Sequence, residues 1–203
     1  MLYKFEGKQP IVGIDTYVSE LATVIGNVTI GNNCYIGPKA ILRGDYGRIE
    51  IGDGTAVEEG VIIHAPPDHL NRIGKRVTLG HGAILHGNFV DNGAVIGMGT
   101  VLSIFSEIGE GAIVAEGSLV KWGQKIPANS VAVGNPATVK RQVSDKDRKI
   151  WSFGKQLYVD LAKRYLDSGL EAVELSVCRK RESSGGPGIV PNPDAQQTGA
   201  GEK

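Results

Sequence analysis

Along most of this chain an aliphatic residue returns every sixth position. The series runs Val18, Val24, Ile30, Ile36, Leu42, then Ile51, Val57, Ile63, then Ile73, Leu79, Leu85, and on through Val90, Ile96, Leu102, Ile108, Val114 and Val120. Glycine often follows at once, as at Gly31, Gly52 and Gly80, and a small or β-branched residue stands four places on, as at Val28, Cys34, Ala40, Val61, Ala83 and Ala112. Fixed-period self-similarity marks a stacked repeat fold, and a hexapeptide period marks a parallel β-helix. Each hexapeptide makes a short strand and a corner, with the aliphatic pointing inward and the small residue filling the bend. Three hexapeptides close a triangular coil, so residues three hexapeptides apart stack at the usual strand spacing of roughly 4.8 Å. A β-sandwich or barrel would alternate with period two over longer runs, which this chain does not do. The pattern therefore predicts an all-β solenoid over residues 1–136.

Two insertions break the period. Three extra residues fall between Leu42 and Ile51, and four between Ile63 and Ile73. Insertions in a solenoid leave the coil as loops. The last coil is expected near Lys121–Lys125, with Trp122 over its open end. Beyond Pro136 the repeat stops. Ser144 with Asp147 three residues on reads as a helix start. Ile150, Leu157, Leu161 and Tyr165, with Phe153 and Tyr158 beside them, then predict an apolar helical face to about Leu166. Residues 137–181 are thus a helical segment, with a further short helix expected over Leu170–Val177. Residues 182–203, rich in Ser, Gly and Pro, read as a disordered tail.

The register also places the histidines. His64 follows Ile63, and His86 follows Leu85, at the same offset and one coil apart, so both point outward from one face. Arg43 holds that offset one coil earlier. His81 sits two places after Leu79, on the preceding face, with Glu59 one coil below it and Glu58 beneath Gly80. One edge of the prism should therefore gather three of the chain's four histidines, with a guanidinium and two carboxylates. Three imidazoles suit a tetrahedral zinc site with a fourth position open to water, at Zn–N distances near ~2.0 Å. They suit iron or cobalt as well. His64 and His86 can share an ion, whereas His81 faces another way, and a neighbouring subunit would supply it. His69, in its Pro-Pro-Asp loop, reads as a solvated surface residue.

Composition narrows the partners. Basic and acidic residues balance at 22 each, so no bulk field draws the chain to nucleic acid or membrane. Neither a signal-peptide run nor a membrane-length apolar stretch appears. The two cysteines, Cys34 in a core slot and Cys178 in the tail, fit a reducing cytosol, which makes the expected location cytoplasmic.

The segments Leu42-Arg43-Gly44-Asp45, Glu59-Gly60-Val61-Ile62-Ile63-His64, Gly80-His81-Gly82-Ala83-Ile84-Leu85-His86-Gly87 and Val133-Gly134-Asn135-Pro136-Ala137 carry a resemblance to a known family. Over roughly residues 10–140 the chain resembles the γ-class carbonic anhydrases and their hexapeptide-repeat relatives, including the carnitine- and phenylacetate-operon proteins. The resemblance implies a left-handed β-helix and a homotrimer with zinc, or iron in some members, at each subunit interface. His64 and His86 would ligate from one chain and His81 from its neighbour. Arg43 and Asp45 would form an intersubunit salt bridge, and Glu59 would be the acid near the first ligand. The implied reaction is reversible hydration of CO2 to bicarbonate by a metal-bound hydroxide, with Glu58 orienting it or accepting its proton. Glu59 would brace a ligand imidazole. The chain departs from the family at Glu58, where a glutamine is usual, at Tyr46, where the archetypal enzyme has a glutamate, and in lacking a clear acidic shuttle loop. Two other readings stand beside this one. One is an acyl-CoA-dependent acyltransferase with His81 or His86 as general base, and the other is a metal-bearing accessory protein without catalysis.

Overall fold

The computed structural model describes residues 1–173. The hexapeptides form the coils of a left-handed parallel β-helix, and rung counting gives the correct register throughout. On the first face Val18, Ile36, Val57, Leu79, Ile96, Val114 and Ala132 stack in sequence. On the second, Val24, Leu42, Ile63, Leu85, Leu102 and Val120 do so. The third stacks Val12, Ile30, Ile51, Ile73, Val90, Ile108 and Ile126. These inward columns are the core, and most of their members are completely buried. Each interior coil is held by backbone ladders on both sides, which fixes its register along the axis.

The outward side chains give each face its own character, as the period-two alternation of strands requires. The C-terminal helix, Asp145–Ser168, covers the first face. Tyr165 stacks on Tyr17 at 4.6 Å, and Tyr158 packs on Tyr35 at 5.3 Å. The third face carries a charged ladder with ion pairs Arg48–Glu50, Arg72–Asp91 and Lys125–Glu107. The second face is apolar and uncovered: Ile41, Ile62 and Ile84 lie in register and are 37%, 38% and 42% exposed. β-helix and helix together form one unit, Met1–Gly169.

Some expectations need correction. The first insertion does not leave as a loop. It stays inside one extended strand, Ile41–Ile51, which carries the chain from the second face to the third with a register shift opposite Gly26–Val28. Gly47 makes this possible, since a Cβ there would lie 2.3 Å from the Pro66 carbonyl oxygen. The second insertion, between the strands Ile62–His64 and Leu70–Ile73, is a loop. The coils continue past Trp122 through Lys125–Ile126 to Ser130–Val133, and a returning antiparallel strand, Thr138–Gln142, closes the end. Trp122 is exposed and meets Phe105 edge-on at 5.7 Å.

The helix has its expected capping box at Ser144 and Asp147 but docks by another face. Ile150, Phe153 and Leu157 are at least half exposed, while Lys155 and Ala162 are buried. The first face offers aromatic and polar groups, so the helix presents Lys155, Tyr158, Ala162 and Tyr165 to it. Leu170–Val173 is not helical. The remainder of the expected second helix, Cys178 and the tail lie outside the described residues.

Candidate metal centre

His64 and His86 are cross-strand partners, as are Arg43 and His64. Each histidine ends a strand, Ile62–His64 or Ile84–His86, and points outward two places after an exposed isoleucine. Their rings stack with centroids 4.8 Å apart, and His64 Nδ1 lies 3.1 Å from His86 Nε2. Two ligands on one tetrahedral ion with Zn–N near ~2.0 Å are about 3.3 Å apart, so this spacing fits a shared cation. His64 Nε2 faces Asp45 Oδ1 at 3.3 Å but, buried, has no hydrogen bond. Burial, with the charges of Arg43 and His86, pushes the His64 imidazole below its ordinary pKa. That favours the neutral, ligating form. Arg43 donates to Asp45 Oδ2 at 2.8 Å within the same chain. Burial opposes charge on Asp45, but Arg43 and the Tyr46 N–H outweigh it and hold the carboxyl below its usual range.

His81 lies elsewhere. It occupies the corner where the first face turns into the second, whereas His64 and His86 sit where the second face turns into the third. The three imidazoles therefore do not gather on one edge of a protomer as expected; they flank the two edges of one face. The reason is the offset itself: His81 is two places past its rung, inside the turn. Among the described residues no set of three His, Cys, Asp or Glu side chains within one chain is placed to hold an ion.

The His81 ring is clamped by two carboxylates. Its Nδ1 lies 2.6 Å from Glu59 Oε2, its Nε2 lies 3.1 Å from Glu58 Oε2, and its backbone N–H donates to Glu58 Oε2. Glu59 is also fixed by the Tyr35 hydroxyl, which donates to Oε1 at 2.6 Å. Burial raises the pKa of Glu58, against the lowering effect of His81 and the neighbouring Tyr158 hydroxyl. For Glu59, burial is outweighed by hydrogen bonds, Tyr35's the largest, so its carboxyl is held below its usual range. Glu58 is only 5% exposed. The C-terminal helix, through Tyr158, closes over it.

Two supporting residues escaped the sequence reading. Asn71 Nδ2 donates to the His64 carbonyl, and Asn88 Oδ1 accepts from the His86 backbone N–H. Both asparagines are completely buried. Their signal was available: each is a polar residue in an inward slot, soon after a histidine-bearing strand. Gly87 completes the support. It has φ +68°, and a Cβ there would strike the Pro66 ring at 2.7 Å.

Stacked hexapeptide coils, a helix laid along one face and paired histidines on the neighbouring face define a hexapeptide-repeat left-handed β-helix protein. No family model matches the chain. It is 42% identical over 162 residues to the carnitine operon protein CaiE of Salmonella agona, covering 80% of this chain and 82% of that protein. The chain belongs to this family of carnitine operon proteins. Among solved structures, a candidate acetyltransferase from Bacillus cereus superposes with TM-score 0.80 at 34% identity, covering 82% of this chain and 96% of the other. A hexapeptide transferase family protein from Anaplasma phagocytophilum does so with TM-score 0.78 at 31% identity, covering 81% and 97%. The relationship to hexapeptide-repeat carnitine-operon proteins read from the sequence is borne out.

Proposed function

We propose that this protein is a homotrimeric, metal-dependent, γ-carbonic-anhydrase-like enzyme that hydrates CO2 reversibly to bicarbonate. The observation that supports the reading is that two histidine clusters lie on opposite edges of one uncovered apolar face. His64 and His86 form one; His81 with Glu58 and Glu59 forms the other; Ile62 and Ile84 lie between them. A rotational assembly in which each copy's His81 edge meets its neighbour's His64–His86 edge closes a ring and covers the isoleucine column. Three imidazoles then surround each site.

A divalent zinc, iron or cobalt ion held there supplies Lewis acidity, which makes water nucleophilic near neutral pH. The chain's own groups do the rest. Glu59 anchors His81 by accepting from its Nδ1 and is fixed in turn by Tyr35, which leaves Nε2, beside Glu58, as the nitrogen that would be offered to a metal. Glu58, buried with a raised pKa, orients the attacking water and takes the proton that CO2 hydration releases. Arg43 and Asp45 serve mainly as structural groups: they brace His64 at the rim, and the partly exposed guanidinium adds a positive charge where bicarbonate forms. Partners on this reading are a second and third copy of the chain and CO2 or bicarbonate, without nucleic acid or membrane. No helix among the described residues is long and apolar enough to cross a membrane, and the buried free thiol of Cys34 fits a cytoplasmic setting.

The names of the structural relatives favour a second reading, acyl transfer from a coenzyme A thioester with a histidine as general base. The third reading, an accessory protein that holds metal without turnover, rests on the departures at Glu58 and Tyr46. The separating experiment is elemental analysis of protein purified from zinc-, iron- and cobalt-supplemented cultures, with stopped-flow CO2 hydration and thiol-release assays on the same samples. The proposal expects about one metal ion per chain and metal-dependent hydration. Metal-free protein that releases thiol from acyl-CoA would replace it with the transferase reading, and metal-loaded protein without hydration would leave the accessory role.

A further inference from the structure

A second site lies away from the histidines, beneath the N-terminal half of the helix. There a cavity of about 630 Å3 opens between the helix and the corner where the third face turns into the first. Stacked turns bearing Arg76, Asn92–Gly93, Glu110–Gly111 and Asn129 form its floor, and Arg148, Trp151 and Lys155 form its roof. Gly93 and Gly111, with φ near +65°, leave the floor without side chains.

The charge in this cavity is unbalanced. Lys155 is 7% exposed, and its Nζ donates to a single acceptor, the Gly93 carbonyl, at 2.7 Å. An ammonium carries three donors, so two lack protein acceptors among the described residues. Among the described residues the Arg148 guanidinium donates only to Asn129 Oδ1 at 2.8 Å, and the Arg76 guanidinium only to Gln156 Oε1 at 3.3 Å. Of the other charged groups lining the cavity, Lys75 is paired with Asp53, and Asp147 with Arg141. Three cations therefore face one uncommitted carboxylate, Glu110, in a chain whose charges balance as a whole. Burying a charge is costly unless it is paired, and the Arg76 charge acts unfavourably on Lys155.

We propose that this cavity binds a phosphorylated small molecule of about nucleotide size, its phosphates between Arg76, Arg148 and Lys155 and its ring against Trp151. Phosphate supplies multiple charged acceptors for guanidinium and ammonium donors. The volume falls within the roughly 300–1,000 Å3 usual for small-molecule sites. Trp151 offers the flat wall that a heterocycle stacks on, which inorganic phosphate alone would leave unfilled. None of these residues belongs to the histidine sites, so the proposal stands or falls independently of the metal reading.

The test is calorimetric titration of the full-length protein, in phosphate-free buffer, with ADP and with inorganic pyrophosphate. ADP is expected to bind saturably and more tightly than pyrophosphate. Lys155→Met and, separately, Arg148→Gln should each weaken ADP binding at least tenfold. Arg148 is exposed, so its variant reports even if the buried substitution disturbs folding. Absence of saturable ADP binding, or variants that bind like the parent, would overturn the proposal. Equal affinity for pyrophosphate and ADP would overturn the nucleotide-sized assignment.

Discussion

Replacing Ile62 by glutamate tests the apolar face on which the proposed trimer depends. Ile62 points outward between Ile41 and Ile84, two residues before His64, while its neighbour Ile63 is completely buried in the core. Full burial of an isoleucine stabilises by about 1.5–3 kcal/mol, so covering the 38% that remains exposed contributes about 1 kcal/mol. A carboxylate in its place would enter the contact without a partner, adding about 2–3 kcal/mol after partial rehydration. The total, about 3–4 kcal/mol per contact, raises the dissociation constant roughly 150- to 1,000-fold. Sedimentation velocity across a concentration series, with far-UV circular dichroism, should show Ile62→Glu as a folded monomer at concentrations where the parent is trimeric. Metal content should fall with assembly. Phe89→Glu is the control: Phe89 is 37% exposed but on the charged third face, and its substitution should leave the trimer intact. A trimeric, metal-loaded Ile62→Glu protein, or equal effects of both substitutions, would refute the reasoning.

The core should be unforgiving. Leu85, completely buried between Ile63 and Leu102 on ladders that cannot collapse, should lose about 3–5 kcal/mol on replacement by alanine, measured by denaturant unfolding. Stability should also rise with pH across a defined window. Burial, assisted by Arg76, lowers the Lys155 pKa from 10.5 to about 8. Between about pH 8 and 10 the unfolded chain therefore binds more protons than the folded one, and stability increases by up to about 3 kcal/mol. Above that range Tyr35 and Tyr158, whose pKa values are pushed up by burial and by the neighbouring carboxylates, reverse the slope. The rising limb should vanish in Lys155→Met, and its persistence would assign it to another group.

Much of this architecture could be read from spacing, because a hexapeptide period fixes register as well as fold. The stacking of Arg43, His64 and His86 and the separate direction of His81 follow from counting alone. Choices that depend on surfaces meeting could not be read so. The helical period grouped Ile150 and Leu157, but did not say which face the solenoid would take. The tyrosine-rich first face drew in Tyr158 and Tyr165, and with them Lys155. Glu58 and Glu59 look alike in sequence, yet only Glu58 lies under that helix, so burial separates their chemistry. Asn71 and Asn88 went unnoticed because attention to the aliphatic series passes over the polar residues that interrupt it.

The central claim is that each metal site is shared between protomers, and mixed assembly tests it directly. His81→Ala and His64→Ala proteins should each fold and assemble but lack metal. When the two are unfolded together in equal amounts and refolded with zinc, a site is complete only where an intact His64–His86 pair meets a neighbour's intact His81. Random mixing in a ring makes that about one site in four. Recovery of about a quarter of the parental zinc by elemental analysis is the predicted result. No recovery on mixing, or full zinc in either variant alone, would contradict a shared site.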